Sequence, residues 1–404
     1  VPDLPIAATG SFALGDDQRE VQALVRRIAA ERVAPRAAAI DRDAAYPQDM
    51  FDLLRELGLF TLPFPAEYGG SGSLLSGCVA IEELGRVCYN TAYLLIVQWT
   101  PIGAIIAAGT TAQRQRLLPG LANGTLRAGF SLTEPQSGSD VGGIRTRARR
   151  DGDGYRLSGN KIWCTNAAVS DFILVAARTG EAERGAINFF IVERDTKGFT
   201  IGRKEDKLGA RGIPSSALFF DDAYVPGQNM LGAEGQGFKS VMAALNASRP
   251  LIAARGVGLA QGAMDLAAEY VGNRRAFGQA VSDFQGVRWM LADMAIGVEA
   301  ARLLTYRAAA LADAGAHGAE LARAAAMAKC FASDTAMRVA TDAVQLYGAA
   351  GISNDYPINR YFRDAKVLQI VEGTNQIQRN IIARTLLGST GPRSTAAGGT
   401  GRKN

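Results

Sequence analysis

A single histidine, His317, occurs in 404 residues, in the turn-like stretch DAGAHGAE between two helical patterns. It reads as a surface-loop residue. With one imidazole, Ser-His-Asp hydrolysis, His-based zinc sites and HExxH chemistry lack their parts. Acid–base work must then fall to carboxylates, Lys, Tyr or a bound cofactor. One carboxylate has unusual surroundings. In QIVEGTNQIQR (369–379), Glu372 follows the apolar pair Ile370-Val371 and precedes Gly373-Thr374, which looks like a cap opening a helix. On its own this position suits a helix-start carboxylate near the positive end of a dipole. It also suits an acid facing a partly dry space, where burial would raise its pKa and make it a better base.

Three further stretches carry chemistry-bearing residues. SLTEPQSGSD (131–140) packs hydroxyls and glycine where a strand ends. Freed amides near Gly138, with the Ser139 and Thr133 hydroxyls, would suit a pyrophosphate or the edge of a flavin ring, although the composition equally fits a polar loop. KIWCTNA (161–167) sets Trp163 beside Thr165 on a strand, either as core or as a ring platform. RRAFGQ (274–279) is a solvated turn or a guanidinium contact to a phosphate. No GxGxxG follows a strand, which argues against a Rossmann site.

These stretches must be positioned by elements of two different periods. From Asp17 the pattern is helical, with Val21, Leu24, Val25 and Ile28 on one stripe, and Thr111 is expected to cap the helix TAQRQRLLPGLANG. From about Gly129 short aromatic and β-branched runs alternate with turns such as DGDG and DTKG, the pattern of an antiparallel β domain, barrel or sandwich. Beyond about Gly235 segments 238–272, 283–314 and 318–348 form an up-and-down bundle. The expected division is 1–126 helical, 127–236 β, 237–388 helical bundle, and 389–404 a disordered tail.

Composition narrows the class. Apolar residues at 48% suit a folded globular chain. AYLLIVQW is broken by TPIG, so no membrane span is expected, and no secretory signal opens VPDLPIAATGSFALGDD. A net charge of +5, spread along the chain, gives nucleic-acid binding little support. Cys78, Cys88, Cys164 and Cys330 show no CxxC pairing, which fits buried thiols in a reducing cytoplasm and no metal site.

TEPQSGSD, KIWCTN, LGAEGQGF, RRAFGQ, QLYGAAGI and QIVEGTNQIQR together resemble, in order and spacing, the acyl-CoA dehydrogenase family of flavoenzymes over about Asp17 to Leu387. The resemblance implies an α+β multidomain fold: an N-terminal helical domain, a middle antiparallel β-barrel and a C-terminal four-helix bundle, with FAD held between. It implies that Phe130, Leu132, Thr133, Gly138 and Ser139 cradle the flavin end. Trp163 and Thr165 would lie along the ring, and Thr374 and Gln376 would complete the cradle. Arg274, Phe277, Gln285, Gln345 and Gly348 would reach the adenine end of a second subunit's cofactor in a homo-oligomer, a tetramer or a dimer. Ser139, Asn246, Arg249, Gly373 and Arg384 match positions that hold the acyl-CoA.

Glu372 then stands where the family's base stands, abstracting the α-proton of an acyl-CoA thioester while flavin N5 takes the β-hydride. Electrons would pass to an electron-transferring flavoprotein. Some relatives carry the base one residue before Arg249, but here that residue is Ser248. Asn246 replaces a common aspartate, so a carrier-protein-bound acyl group is the alternative substrate. A same-fold oxidase or monooxygenase is the alternative activity. Val371 replaces a common aromatic and would leave room for a branched group. Tyr93 and Trp99 would either wall the acyl tunnel or belong to the core.

Overall fold

A computed structural model describes residues 14–180, 187–235 and 237–387, without the side chains of Gly237, Asn246 and Ala247. The first residues of the chain and the expected tail at 389–404 lie outside the described residues. Six helices come first: α1 (Asp16–Ile28), α2 (Ala37–Asp43), α3 (Gln48–Glu56), α4 (Leu74–Val87), α5 (Tyr89–Ala108) and α6 (Thr111–Ala122). Seven strands follow: β1 (Ala128–Ser131), β2 (Arg147–Asp151), β3 (Gly154–Thr165), β4 (Phe172–Arg178), β5 (Ile187–Glu193), β6 (Phe199–Lys204) and β7 (Ser215–Pro226). Then come α7 (Gly237–Asn273), a small hairpin of β8 (Arg275–Ala276) and β9 (Gln279–Ala280), α8 (Gln285–Asp313), α9 (Gly318–Tyr347), α10 (Ile358–Leu368) and α11 (Asn375–Leu387).

Helix α6 starts one residue before the expected cap. Thr110, not Thr111, accepts the Gln113 N–H at 3.2 Å, and the Gln113 side chain accepts the Thr110 N–H at 3.0 Å. This reciprocal box satisfies two amide donors that a helix start leaves free. Helix α5 runs unbroken through Pro101 to Ala108. It is long and apolar enough to span a bilayer, yet most of it is buried inside the protein.

The seven strands follow the order β1-β4-β2-β3-β7-β6, with β5 on the free side of β4. Most pairs are antiparallel, whereas β1 and β2 each lie parallel to β4. Alternating burial puts Leu157, Cys164, Leu218 and Val225 into the interior of the curled sheet. The outer helices do not form separate layers. Val79, Ile81 and Leu84 of α4 are sealed against α7, and one core runs from the N-terminal helices through the bundle. Helices α4 and α7 approach so closely that a Cβ on Gly258 or Gly262 would overlap the Glu82 or Arg86 carbonyl. Each large apolar side chain so buried contributes about 2 kcal/mol.

Candidate active site

Glu372 is carried on the turn between α10 and α11, at φ 56°, with Gly373 at φ 87°. Two successive left-handed residues are costly for a glutamate. The turn is held by side chains from below. Lys329 of α9, wholly buried, donates to the Gly373 carbonyl and to the Asn375 side chain, both at 2.9 Å. Gln378 donates to the Gly373 carbonyl at 2.9 Å. Asp334 collects the side chains of Gln369, Asn375 and Arg379 at 2.6 to 2.8 Å. Thr374 then caps α11 by accepting the Ile377 N–H.

The Glu372 carboxylate is half-buried and, among the described residues, accepts no hydrogen bond and lies in no ion pair within 4.0 Å. Its backbone N–H likewise donates to no group among them. Burial raises the pKa of this acid, and the charges of Arg255, Arg249 and Lys329 oppose the rise. Dryness does not come from Ile370 as the sequence suggests. That side chain is 56% exposed, and the groups whose charges couple to Glu372 are Tyr89 and Tyr93 of α5, Arg249 and Arg255 of α7, and Lys329. Ser248 is half-buried and its hydroxyl bonds back to the Leu245 carbonyl.

Across from this turn stands the edge of the β domain. Between Lys161 and Cys164 the register of β3 on β7 shifts, and Trp163 takes φ 59° and turns outward at 53% exposure. It is a displayed ring, not core. The bulge frees the Ile162 N–H, which reaches the Thr133 carbonyl at 3.0 Å. Buried Lys161 donates to the Leu132 carbonyl at 3.1 Å and to Glu134 at 2.7 Å. Glu134 also accepts the Arg145 and Thr146 N–H groups, so β3 and the loop 131–140 are stapled together. Burial works against the Glu134 charge, but these donors hold its pKa down to about 2. Gly138 and Ser139 stand exposed at the loop's tip, where a Cβ on Gly138 would meet nothing within 4 Å.

Thr165, at the end of β3, is half-buried and adjoins the Tyr93 hydroxyl, which in turn feels the charge of Glu372. Tyr93 adjoins Thr165 and feels the charge of Glu372, and a Cβ on Gly373 would lie 4.0 Å from Arg249 Nη2, so these residues share one region. Several buried polar atoms there have no partner: Ser131 Oγ, both amide atoms of Asn166, and Nε and Nη1 of Arg249. A bound molecule rich in donors and acceptors would satisfy them, so these residues fit a flavin nucleotide and a polar thioester. Trp99 is not part of this space; it is buried and donates to the Leu59 carbonyl.

The remaining predicted residues lie elsewhere. Arg274, Phe277, Gln285, Gln345 and Gly348 are exposed and gather at one end of the bundle, where Tyr270 stacks on Tyr347 at 4.0 Å. Sixteen residues of α9 separate Gln345 from Lys329, about 24 Å. Arg384 is exposed on α11. Asn246 lies on α7, but its side chain is outside the described residues. Arg255, Lys329 and Asp334 escaped the sequence reading. Their signal was a lone charge within small and apolar residues, as in LIAARGVGLA and AAAMAKCFA.

The fold and site together define a flavoprotein dehydrogenase class, and the comparisons make it specific. Residues 15–125, 129–223 and 235–387 match the N-terminal, middle and C-terminal domains of acyl-CoA dehydrogenase, so the chain belongs to the acyl-CoA dehydrogenase family. It is similar to an acyl-CoA dehydrogenase of Bacillus subtilis, 42% identical over 93% of this chain and 99% of that one. It is equally similar to cyclohexane-1-carbonyl-CoA dehydrogenase of Geobacter metallireducens, 42% identical over 93% and 99%. Among solved structures, butyryl-CoA dehydrogenase of Megasphaera elsdenii superposes with a TM-score of 0.89, at 38% identity over 93% of this chain and 100% of that one. The protein is an oxidoreductase of this FAD-dependent family.

Proposed function

We propose that the protein converts an acyl-CoA thioester to its trans-2-enoyl thioester, with Glu372 as the base that takes the α-proton. The observation that most supports this is the Glu372 carboxylate itself: burial raises its pKa, no donor among the described residues engages it, and its charge reaches the Tyr93 side chain that adjoins Thr165. A base must reach its proton unobstructed and hold a pKa near the working pH. Burial moves Glu372 in that direction, and the charges of Arg255, Arg249 and Lys329 oppose the rise. The unengaged Glu372 N–H is suited to polarise the thioester carbonyl as negative charge grows there.

FAD, when bound, supplies the acceptor for the β-hydrogen. Phe130, Leu132, Thr133, Gly138, Ser139, Trp163 and Thr165 would hold its flavin end, with Thr374 and Gln376. Arg274, Phe277, Gln285, Gln345 and Gly348, at the far end of the bundle, would serve a neighbouring copy's cofactor. Trp289, Ile296 and Leu303, spaced seven apart on α8 and 41 to 68% exposed, give that copy an apolar seat. The proposed assembly is therefore a homo-oligomer, a tetramer or a dimer. Ser139, Asn246, Arg249, Gly373 and Arg384 would hold the acyl-CoA. An electron-transferring flavoprotein would take the electrons. Four unbridged, buried thiols suit a reducing, cytoplasmic setting.

The test is anaerobic mixing of the yellow holoenzyme with a panel of acyl-CoAs. Bleaching that recovers slowly in air supports the dehydrogenase. Rapid recovery with peroxide would replace it with an oxidase, and no bleaching by any acyl-CoA would end the proposal.

A further inference from the structure

Arg255 is a buried cation with no conventional partner. Its side chain is inaccessible, and Nε, Nη1 and Nη2 all lack a hydrogen-bond acceptor. Leaving a guanidinium so unpaired costs several kcal/mol unless other groups compensate. Two phenol rings do part of this: the guanidinium lies 3.8 Å from the Tyr93 ring centroid and 4.3 Å from that of Tyr89. These rings meet edge to face at 5.9 Å. The backbone is equally constrained, since a Cβ on Gly85 of α4 would come within 3.2 Å of the Arg255 carbonyl oxygen. This fixes the α7 backbone at Arg255 against α4.

The carboxylate on which its charge acts is Glu372. The groups acting on that carboxylate are Tyr89 and Tyr93 from α5, Arg249 and Arg255 from α7, and Lys329 from α9. Lys329 is committed to the Gly373 carbonyl and to Asn375. Arg249 sits beside the substrate's proposed place. Arg255 has no other acidic group to answer, and among the three cations its effect on Glu372 is the largest.

We propose that Arg255 is a positioning residue for the base, a fixed counter-charge clamped between Tyr89 and Tyr93 that keeps Glu372 ionised and ready in a space otherwise too dry for a carboxylate. This rests on Glu372 being the base. Because the guanidinium is sealed from the space, it touches no substrate and acts through the field it projects and through the Tyr93 hydroxyl it steadies beside Thr165. When Glu372 takes a proton, its charge is cancelled while the cation remains, so the field then favours negative charge left on the substrate.

The test compares Arg255→Gln and Arg255→Lys with the native enzyme. In the first variant the acidic limb of kcat/KM for butyryl-CoA should move up by about one pH unit, a tenfold loss on that limb. Arg255→Lys should restore its position. Independently of turnover, the carboxyl infrared band that Glu372→Gln abolishes should titrate at higher pH in Arg255→Gln. Tyr93→Leu, which removes one ring, should move the band the same way by less, and serves if Arg255→Gln does not fold. Equal loss at every pH with an unmoved band in these variants would overturn the proposal and leave the dehydrogenase reading intact. A native enzyme that no acyl-CoA bleaches would remove both.

Discussion

Lys329 reaches across from α9 to the Gly373 carbonyl at 2.9 Å, so one buried ammonium holds the turn that presents Glu372. Burial lowers its pKa to about 8, against the pull of Glu372. Lys329→Met would strand the Gly373 carbonyl and the Asn375 side chain. The expected cost is about 2–3 kcal/mol, read as a lower urea midpoint at unchanged slope. Unchanged stability would show that the left-handed turn needs no such tether.

Glu372→Gln keeps the size of the side chain and removes its basicity. FAD content and the visible spectrum should stay as in the native protein, while acyl-CoA bleaching slows by about a thousandfold. Rapid-mixing absorbance gives the rate, and full activity would end the assignment of the base.

The Glu134–Lys161 pair should appear in the acid stability profile. Glu134 has a folded pKa of about 2 against an ordinary 4.5. Its contribution is complete above about pH 4.5 and is lost as pH falls toward 2. Glu134→Gln should flatten that part of the curve. At neutral pH it should cost about 3–5 kcal/mol, because Lys161 is left buried without its anion. Thermal unfolding between pH 2 and 7 measures both effects.

Half-buried Val371 adjoins the base. Val371→Tyr should lower kcat/KM for an α-branched acyl-CoA about tenfold more than for its straight-chain isomer. An equal change for both would remove Val371 from substrate selection.

Much of the architecture was legible because apolar spacing switches cleanly from helical to alternating near Gly129 and back near Gly235. The long bundle helices fall within two residues of their expected limits. Finer features depended on contacts no periodicity contains. The cap moved from Thr111 to Thr110 because only Thr110 can exchange bonds with Gln113. Helix α5 absorbs Pro101 because neighbouring elements bury it on most sides. At the site, motif order brought out Glu372, Thr165 and Trp163. It missed Arg255 and Lys329, whose charges act on Glu372 from α7 and α9. Nor could it tell that Ile370 points outward, since the turn's left-handed backbone decides that.

Gln345, in the exposed group with Arg274 and Phe277, stands about 24 Å along α9 from Lys329 beneath the base. The proposed division of the cofactor between copies would make flavin loading and subunit association a single equilibrium. Diluting the enzyme would then release its flavin, read as a rise in flavin fluorescence, and adding free FAD would draw the protomers back together.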